Sequence, residues 1–178
     1  MKMQCLGHRL TYARDMPVRG LVDMLASKAQ TNTQHYGKRP YGVGLLVAGV
    51  DESGPHLFEF QPSGLTEEMQ AFAIGARSQM ARTYLEKNLD VFPDCGREEL
   101  IRHGLRALKE SLVQDKELTV DNTSVAVVGV GKAADGSHKP EQFKVYDGNN
   151  VNAWIESVGD DKEAAGAEEG EGMDVDKS

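Results

Sequence analysis

Residues 41–50 constrain the fold of this 178-residue chain more than any other segment. Val43, Leu45 and Val47 alternate there with Leu46, Ala48 and Val50, so an extended backbone carries apolar side chains on both faces. A strand of that composition is expected to be covered on each side, inside a layered structure. Gly42, Gly44 and Gly49 weaken strand propensity, and their predicted use is close approach of a neighbouring backbone or helix. Pro40 biases Arg39 towards extended geometry and helps launch the strand.

The segments that follow read as a meander. Residues 51–55 form a turn, with Gly54 free to take a positive φ. Residues 56–61 return as a strand, with His56, Phe58 and Phe60 on one face and Leu57, Glu59 and Gln61 on the other. Pro62, Ser63 and Gly64 turn the chain again, and residues 69–74 read as a short third strand in which Phe72 and Ile74 share a face. Three sequential strands with short links predict antiparallel pairing.

Helices flank this block. In residues 17–30, Val18, Leu21, Val22, Leu25 and Ala29 recur at helical spacing. Pro17 suits the first turn, and Asp15 stands near enough to help cap it. Residues 31–40 read as a polar connector. Gly75 is expected to open a helix running to about Leu89, burying Ala76, Met80, Ala81, Tyr84 and Leu85. Residues 97–112 predict another, with Leu100, Ile101, Gly104, Leu105, Leu108 and Leu112 on one stripe. Gly104 costs about 1 kcal/mol against alanine, so a tight crossing is expected there. Residues 124–130 and 142–146 read as two more strands joined by a polar loop over 131–141. A last short helix presents Val151, Trp154, Ile155 and Val158 on one face.

The length suits one domain with a packed core. No run of about 18 apolar residues exists, so no membrane-spanning helix is expected. The first ten residues do not read as a secretory signal. The net charge of −8 is uneven. Residues 159–178 hold eight acids and two lysines, a net of −6, which leaves −2 for residues 1–158. A near-neutral body without a basic stripe argues against nucleic-acid binding. Burying Met173 and Val175 would gain about 1.5–3 kcal/mol each, against on the order of 20–40 kcal/mol to order the segment. Residues 159–178 are therefore expected to form a disordered acidic tail beyond a domain spanning 1–158.

Motifs that would carry chemistry fail on inspection. Gly129, Val130, Gly131 and Lys132 look like part of a phosphate-binding loop, but Ala126 and Ala133 stand where the first glycine and the metal-binding hydroxyl belong. Gly42-Val43-Gly44 has no third glycine at Val47 and lies inside a strand. Asn122-Thr123-Ser124 matches a glycosylation sequon and reads better as a turn leading into a strand. His8, His35, His56, His103 and His138 are scattered singly, and each reads as a surface or satisfied core group. Ser78 lacks the flanking glycines of a nucleophile elbow. Cys5 and Cys95 form neither a metal spacing nor a disulfide framework, and read as small buried or half-buried groups in a reducing compartment. No catalytic, cofactor-binding or metal-ligating residue is assigned, and no cofactor.

The ordered run from Arg39-Pro40-Tyr41-Gly42-Val43-Gly44-Leu45-Leu46 resembles the strand motif of the alpha-type subunits of the proteasome core particle. Ala73-Ile74-Gly75-Ala76-Arg77-Ser78-Gln79, followed by Ala81-Arg82-Thr83-Tyr84-Leu85-Glu86, is narrower and resembles a single member type within that set. Phe58-Glu59-Phe60-Gln61-Pro62-Ser63-Gly64, Leu118-Thr119-Val120-Asp121-Asn122 and Val145-Tyr146-Asp147 agree with it. The likeness covers about residues 1–158.

The resemblance implies an α+β fold, the four-layer αββα sandwich of antiparallel sheets known as the N-terminal-nucleophile hydrolase fold. Against that pattern Met1 falls inside the helix that follows the first strands. The gate-forming tail, the overlying helix, the first strands and the lysine-bearing docking pocket are therefore expected to be missing, and the sandwich incomplete. It further implies a non-catalytic structural subunit of the alpha ring, supporting ubiquitin-dependent protein degradation in cytoplasm and nucleus. The implied partners are neighbouring alpha subunits and the beta subunits below, with a regulatory particle possible, and neither nucleic acid nor membrane. The alternative is a threonine-type hydrolase of the same fold, beta-type or a relative. A third reading is an adaptor that uses the acidic tail.

Overall fold

The computed structural model describes residues 1–113, 116–132, 138–140 and 142–158. The expected disordered tail over 159–178 lies outside these residues, as does most of the 133–141 stretch. The fold is mixed α+β, with helices and antiparallel sheets. The chain divides into two compact units, one of Met1–Gly75 with Val127–Lys144, the other of Ala76–Ala126 with the chain from Val145.

The first unit opens with α1 (Lys2–Tyr12), which ends where Ala13 turns left-handed at φ 53°. None of its 11 residues is buried. Helix α2 (Val18–Gln34) begins one residue later than the predicted 17–30 helix, with Pro17 as its cap position, and continues into the segment expected to be connector. Of the predicted stripe, Val18, Val22 and Ala29 are buried and Leu21 and Leu25 half-buried. The expected cap is corrected. Asp15 pairs with Arg9 instead, and the first free N–H of α2, that of Val18, goes to the Asp51 carboxylate at 3.1 Å.

Strand β1 (Leu45–Asp51) begins later than expected, and residues 41–44 stay outside the sheet. It pairs antiparallel with β2 (Gly54–Phe60), with Val47 opposite Phe58 and Leu45 opposite Phe60. Val47, Phe58 and the half-buried Leu45 pack with Val18 and Val22 of α2, which is the core of this unit, and Phe60 is buried on the same face of β2. On the opposite face of β1, Leu46 and Ala48 are exposed, so the expected cover on both sides is present on one.

Gly49 explains how α2 approaches so closely. A Cβ there would stand 2.7 Å from Cγ2 of Val18, so only a bare backbone admits the helix at this point. This confirms the predicted use of Gly49, and Gly44 lies against the Phe60 carbonyl, whereas among the described residues nothing lies within 4 Å of where a Gly42 Cβ would be.

The third strand is β3 (Thr66–Glu68), not residues 69–74. A tight turn returns the chain at once, with Gln61 N–H bound to Leu65 O at 2.9 Å and Gly64 at φ +89°. Thr66 therefore already faces Phe60, and Glu68 faces Phe58. The Met69 N–H to Leu57 O bond closes the ladder. Strands β5 (Val130–Lys132) and β6 (His138–Pro140) form an antiparallel pair within the stretch read as strand and loop.

In the second unit, α3 (Ser78–Lys87) starts three residues after Gly75. Gly75 at φ +109° and Arg77 at φ +55° both adopt left-handed backbone, which no right-handed helix can include. Ala81 is buried and Tyr84 and Leu85 half-buried, but Ala76 and Met80 are exposed, against expectation. The Arg77 guanidinium donates to Ser111 O at 2.8 Å, tying the start of α3 to the end of α4 (Arg97–Glu110). Helix α4 buries Ile101, His103, Leu105 and Ala107. Leu100 and Leu108 are exposed, and nothing lies within 4 Å of where a Gly104 Cβ would be. The single stripe read from the sequence is thus two strips, one covered and one open, and among the described residues no tight crossing occurs at Gly104.

The predicted 124–130 strand is divided between β4 (Val125–Val127) and β5, and β4 pairs with β7 (Lys144–Tyr146). A 3-10 turn (Gly148–Val151) leads into α5 (residues 152–158). Val151 and Val158 are buried and Trp154 and Ile155 half-buried, as expected for one apolar face. Trp154 stacks edge-on with Tyr146, its ring N–H bonded to Glu98, and Lys109 Nζ donates to Val158 O at 2.9 Å.

Candidate functional site

The densest polar constellation of the first unit sits where the β1–β2 hairpin meets α2 and β3. Asp51 pairs with Gly54 across the hairpin end, so Glu52 and Ser53 form its two-residue loop. Gly54 at φ +121° supplies the positive φ expected of that turn. This loop points Ser53 Oγ back towards Asp51 Oδ1, at 2.5 Å, and towards His56 Nε2, at 2.8 Å. His56 Nδ1 lies 2.5 Å from Oε1 of Glu68 on β3. Oε2 of Glu68 accepts from Arg19 of α2 at 2.7 Å, and the Arg19 guanidinium lies 5.1 Å from the centre of the Phe58 ring.

A serine, a histidine and a carboxylate in hydrogen-bonded sequence invite comparison with a nucleophile, its base and the group that orients the base. The electrostatics oppose that chemistry. The hydrogen bond to Glu68, against the opposing effect of burial, and the charge of Asp51 raise the His56 pKa above its ordinary 6.5. Both His56 nitrogens already have polar partners, Nδ1 with Glu68 and Nε2 with Ser53 and Asp51. The Ser53 hydroxyl proton is already committed to Asp51. Burial works against ionisation of Asp51, yet hydrogen bonds from the Ser53 side chain and from the Val18 and Ser53 N–H groups, with the His56 charge, hold its pKa at about 2. Glu68 is lowered by its bond to His56. The arrangement is a charged clasp that fastens the hairpin to α2 and β3.

A second cluster lies in the other unit. Cys95 is the extended residue that follows a 3-10 turn (Phe92–Asp94), and Gly96 caps α4. Glu99 then falls in the first turn of α4 and His103 one turn later, on the same side. The Cys95 sulfur, a Glu99 oxygen and a ring nitrogen of His103 all lie within 4.8 Å of one another. Tyr84 Oη of α3 is 2.9 Å from His103 Nδ1, and the Phe92 ring meets the imidazole edge-on at 5.3 Å. Burial, then the charge of Glu99 and its hydrogen bond, push the Cys95 thiol up.

The residues weighed from sequence fall elsewhere. Gly129 leads into a paired strand, not a strand-to-helix turn, so no phosphate-binding loop forms there. Asn122 accepts the Thr119 N–H at 2.8 Å and holds the turn expected of it before β4. His8 and His35 contact backbone carbonyls at the surface, and His103 is a buried group partnered by Tyr84. His138 lies on β6, and Ser78 is the first residue of α3. Cys5 and Cys95 are half-buried free thiols. The spacing Cys95-x3-Glu99-x3-His103 was the signal that sequence reading passed over by taking each residue singly.

Several apolar side chains are left in the open. Met1, Met3, Leu6, Leu10 and Tyr12 of α1 are each at least half exposed.

A family profile described as proteasome subunit matches residues 1–128. The chain is 51% identical over 165 residues to a probable proteasome subunit alpha type-6 of Schizosaccharomyces pombe, an alignment covering 93% of this chain and 57% of that protein. It is 48% identical over 157 residues to the proteasome subunit alpha type-6 of Saccharomyces cerevisiae, covering 87% of this chain and 63% of the relative. To the proteasome subunit alpha type-1 of Dictyostelium discoideum it is 46% identical over 133 residues, 74% of this chain and 54% of that one. The chain thus spans less than two thirds of each of these relatives.

Proposed function

The chain belongs to the proteasome subunit family, and from that premise we propose that it is a non-catalytic, alpha-type structural subunit of the proteasome core, supporting ubiquitin-dependent protein degradation. The observation that carries the reading is the 51% identity to an alpha-type relative along 93% of this chain. Three physical features support it. Helix α1 buries none of its own residues, Leu46 and Ala48 leave one face of β1 open, and Leu100 and Leu108 leave an apolar strip on α4. Surfaces of this kind mark contacts with other chains. The partners would be neighbouring alpha-type chains in the ring and beta-type chains below it, with a regulatory particle docking on the outer face, and the location cytoplasm and nucleus. The Ser53–His56–Glu68 clasp reads as a fastening, because the Ser53 hydroxyl donates to Asp51 and not to the histidine.

The reading is tested by native-gel separation of an extract containing a tagged copy. The tag is expected in a large complex, and a threonine-directed covalent probe is expected to leave the chain unlabelled. A tag found only as free monomer, or a labelled chain, contradicts it.

A further inference from the structure

We infer that Cys95, Glu99 and His103 form a binding site for a divalent transition-metal ion, with zinc the natural occupant. Zinc takes thiolate, imidazole and carboxylate ligands at about 2.0–2.3 Å, which places tetrahedral donors about 3.3–3.8 Å apart. The three donors here already lie within 4.8 Å of one another, so small adjustments are what ligation asks of them. Sulfur with nitrogen excludes calcium and magnesium, which prefer all-oxygen sets.

The surroundings suit the assignment. His103 is 8% exposed, and its ring is walled by Phe92 and by Tyr84, whose hydroxyl holds Nδ1 at 2.9 Å. A hydrogen bond on one ring nitrogen fixes the orientation of the other and is the usual support of a metal-bound histidine. Tyr84 holds one ring nitrogen of His103, and the site requires the other to serve as the ligand. Cys95 is half-buried and Glu99 exposed, so the site opens to solvent through the carboxylate, which gives the ion an entry path and leaves a fourth position for water. On binding, the Cys95 thiol releases its proton to solvent as the metal–sulfur bond forms. The ion joins the turn before α4 to the first two turns of that helix.

The test is titration of the full chain, thiols reduced, with cobalt(II) as a spectroscopic stand-in, followed by zinc. One equivalent of cobalt should bind with a thiolate-to-metal charge-transfer band and the visible absorption of a tetrahedral ion, and zinc should displace it. Cys95→Ser should abolish the band, Glu99→Gln should weaken binding at least about tenfold, and Cys5→Ser should change neither. Since His103 is buried and its replacement could unfold the chain, the test rests on the two accessible ligands. A band that survives Cys95→Ser, one that disappears with Cys5→Ser, or no band in the unaltered chain overturns the assignment.

Discussion

The Asp51 carboxylate caps Val18, accepting its backbone N–H at 3.1 Å from 33 residues away. A helix start is usually satisfied by a side chain just before it. Here Pro17 occupies that position and offers no side-chain acceptor, so the end of β1 supplies one. The same carboxylate takes the Ser53 N–H at 2.9 Å and so holds the hairpin loop as well. Asp51→Ala should therefore lower the stability of the folded chain by about 1–2 kcal/mol, read by urea unfolding. Hydrogen exchange should show the loss of protection at the first turn of α2. Unchanged protection there would mean that the cap is not made in solution.

The clasp around His56 has a pH signature. Its neighbours are Asp51 from β1, Glu68 from β3 with Arg19 of α2 behind it, and Phe58 stacked at 6.1 Å. A histidine whose pKa is raised in the folded state stabilises fully below its ordinary 6.5 and loses that contribution as pH rises through the raised value. Asp51 and Glu68 are lowered, so their contributions hold above their ordinary values of 3.8 and 4.5 and fade in acid. The stability difference between the chain and His56→Gln should be greatest between pH 4.5 and 6.5, and shrink on both sides. A difference that grows steadily above pH 6.5 would show His56 to be neutral in the fold.

Leu105 is 2% exposed in the middle of α4. Leu105→Ala should cost about 2–5 kcal/mol through lost burial and the cavity left behind. Leu108→Ala, at a side chain 47% exposed, should cost less than about 1 kcal/mol in the free chain. Equal losses in thermal unfolding would contradict the division of this helix into a covered and an open strip.

Gly49 and Gly42 offer a matched pair. Gly49→Ala puts a methyl 2.7 Å from Val18 Cγ2 and should destabilise by about 1–3 kcal/mol. Gly42→Ala meets nothing within 4 Å and should stay within about 0.5 kcal/mol of the parent. Chemical denaturation of the two variants side by side checks the packing of α2 on β1.

Much of the fold was legible because period and burial agree. The stripe of α2 points to the face that is buried, and Phe58 and Phe60 are buried as expected, although Glu59 between them is buried as well. The errors have definite causes. Phe72 and Ile74 alternate like a strand, but Thr66, Glu67 and Glu68 hold the edge position through backbone bonds that need no apolar side chain. Gly75 reads as a helix opener, yet its φ and that of Arg77 postpone α3 until Ser78. On α4, Leu100 and Leu105 look equivalent by composition, and only the position of the packed neighbours separates them. The clasp was harder to foresee, since Ser53, His56 and Glu68 meet through the register of β2 on β3. The Cys95, Glu99 and His103 cluster was visible as one-turn spacing, and needed only that the three residues be considered together.

The most direct test of the structural-subunit account is the stoichiometry of the complex that this chain enters. Affinity capture of a tagged copy under gentle salt, followed by quantitative mass spectrometry, should recover other alpha-type and beta-type proteasome chains at about one copy each per tagged chain. Recovery of the tagged chain by itself, stable and unaccompanied, would contradict the account.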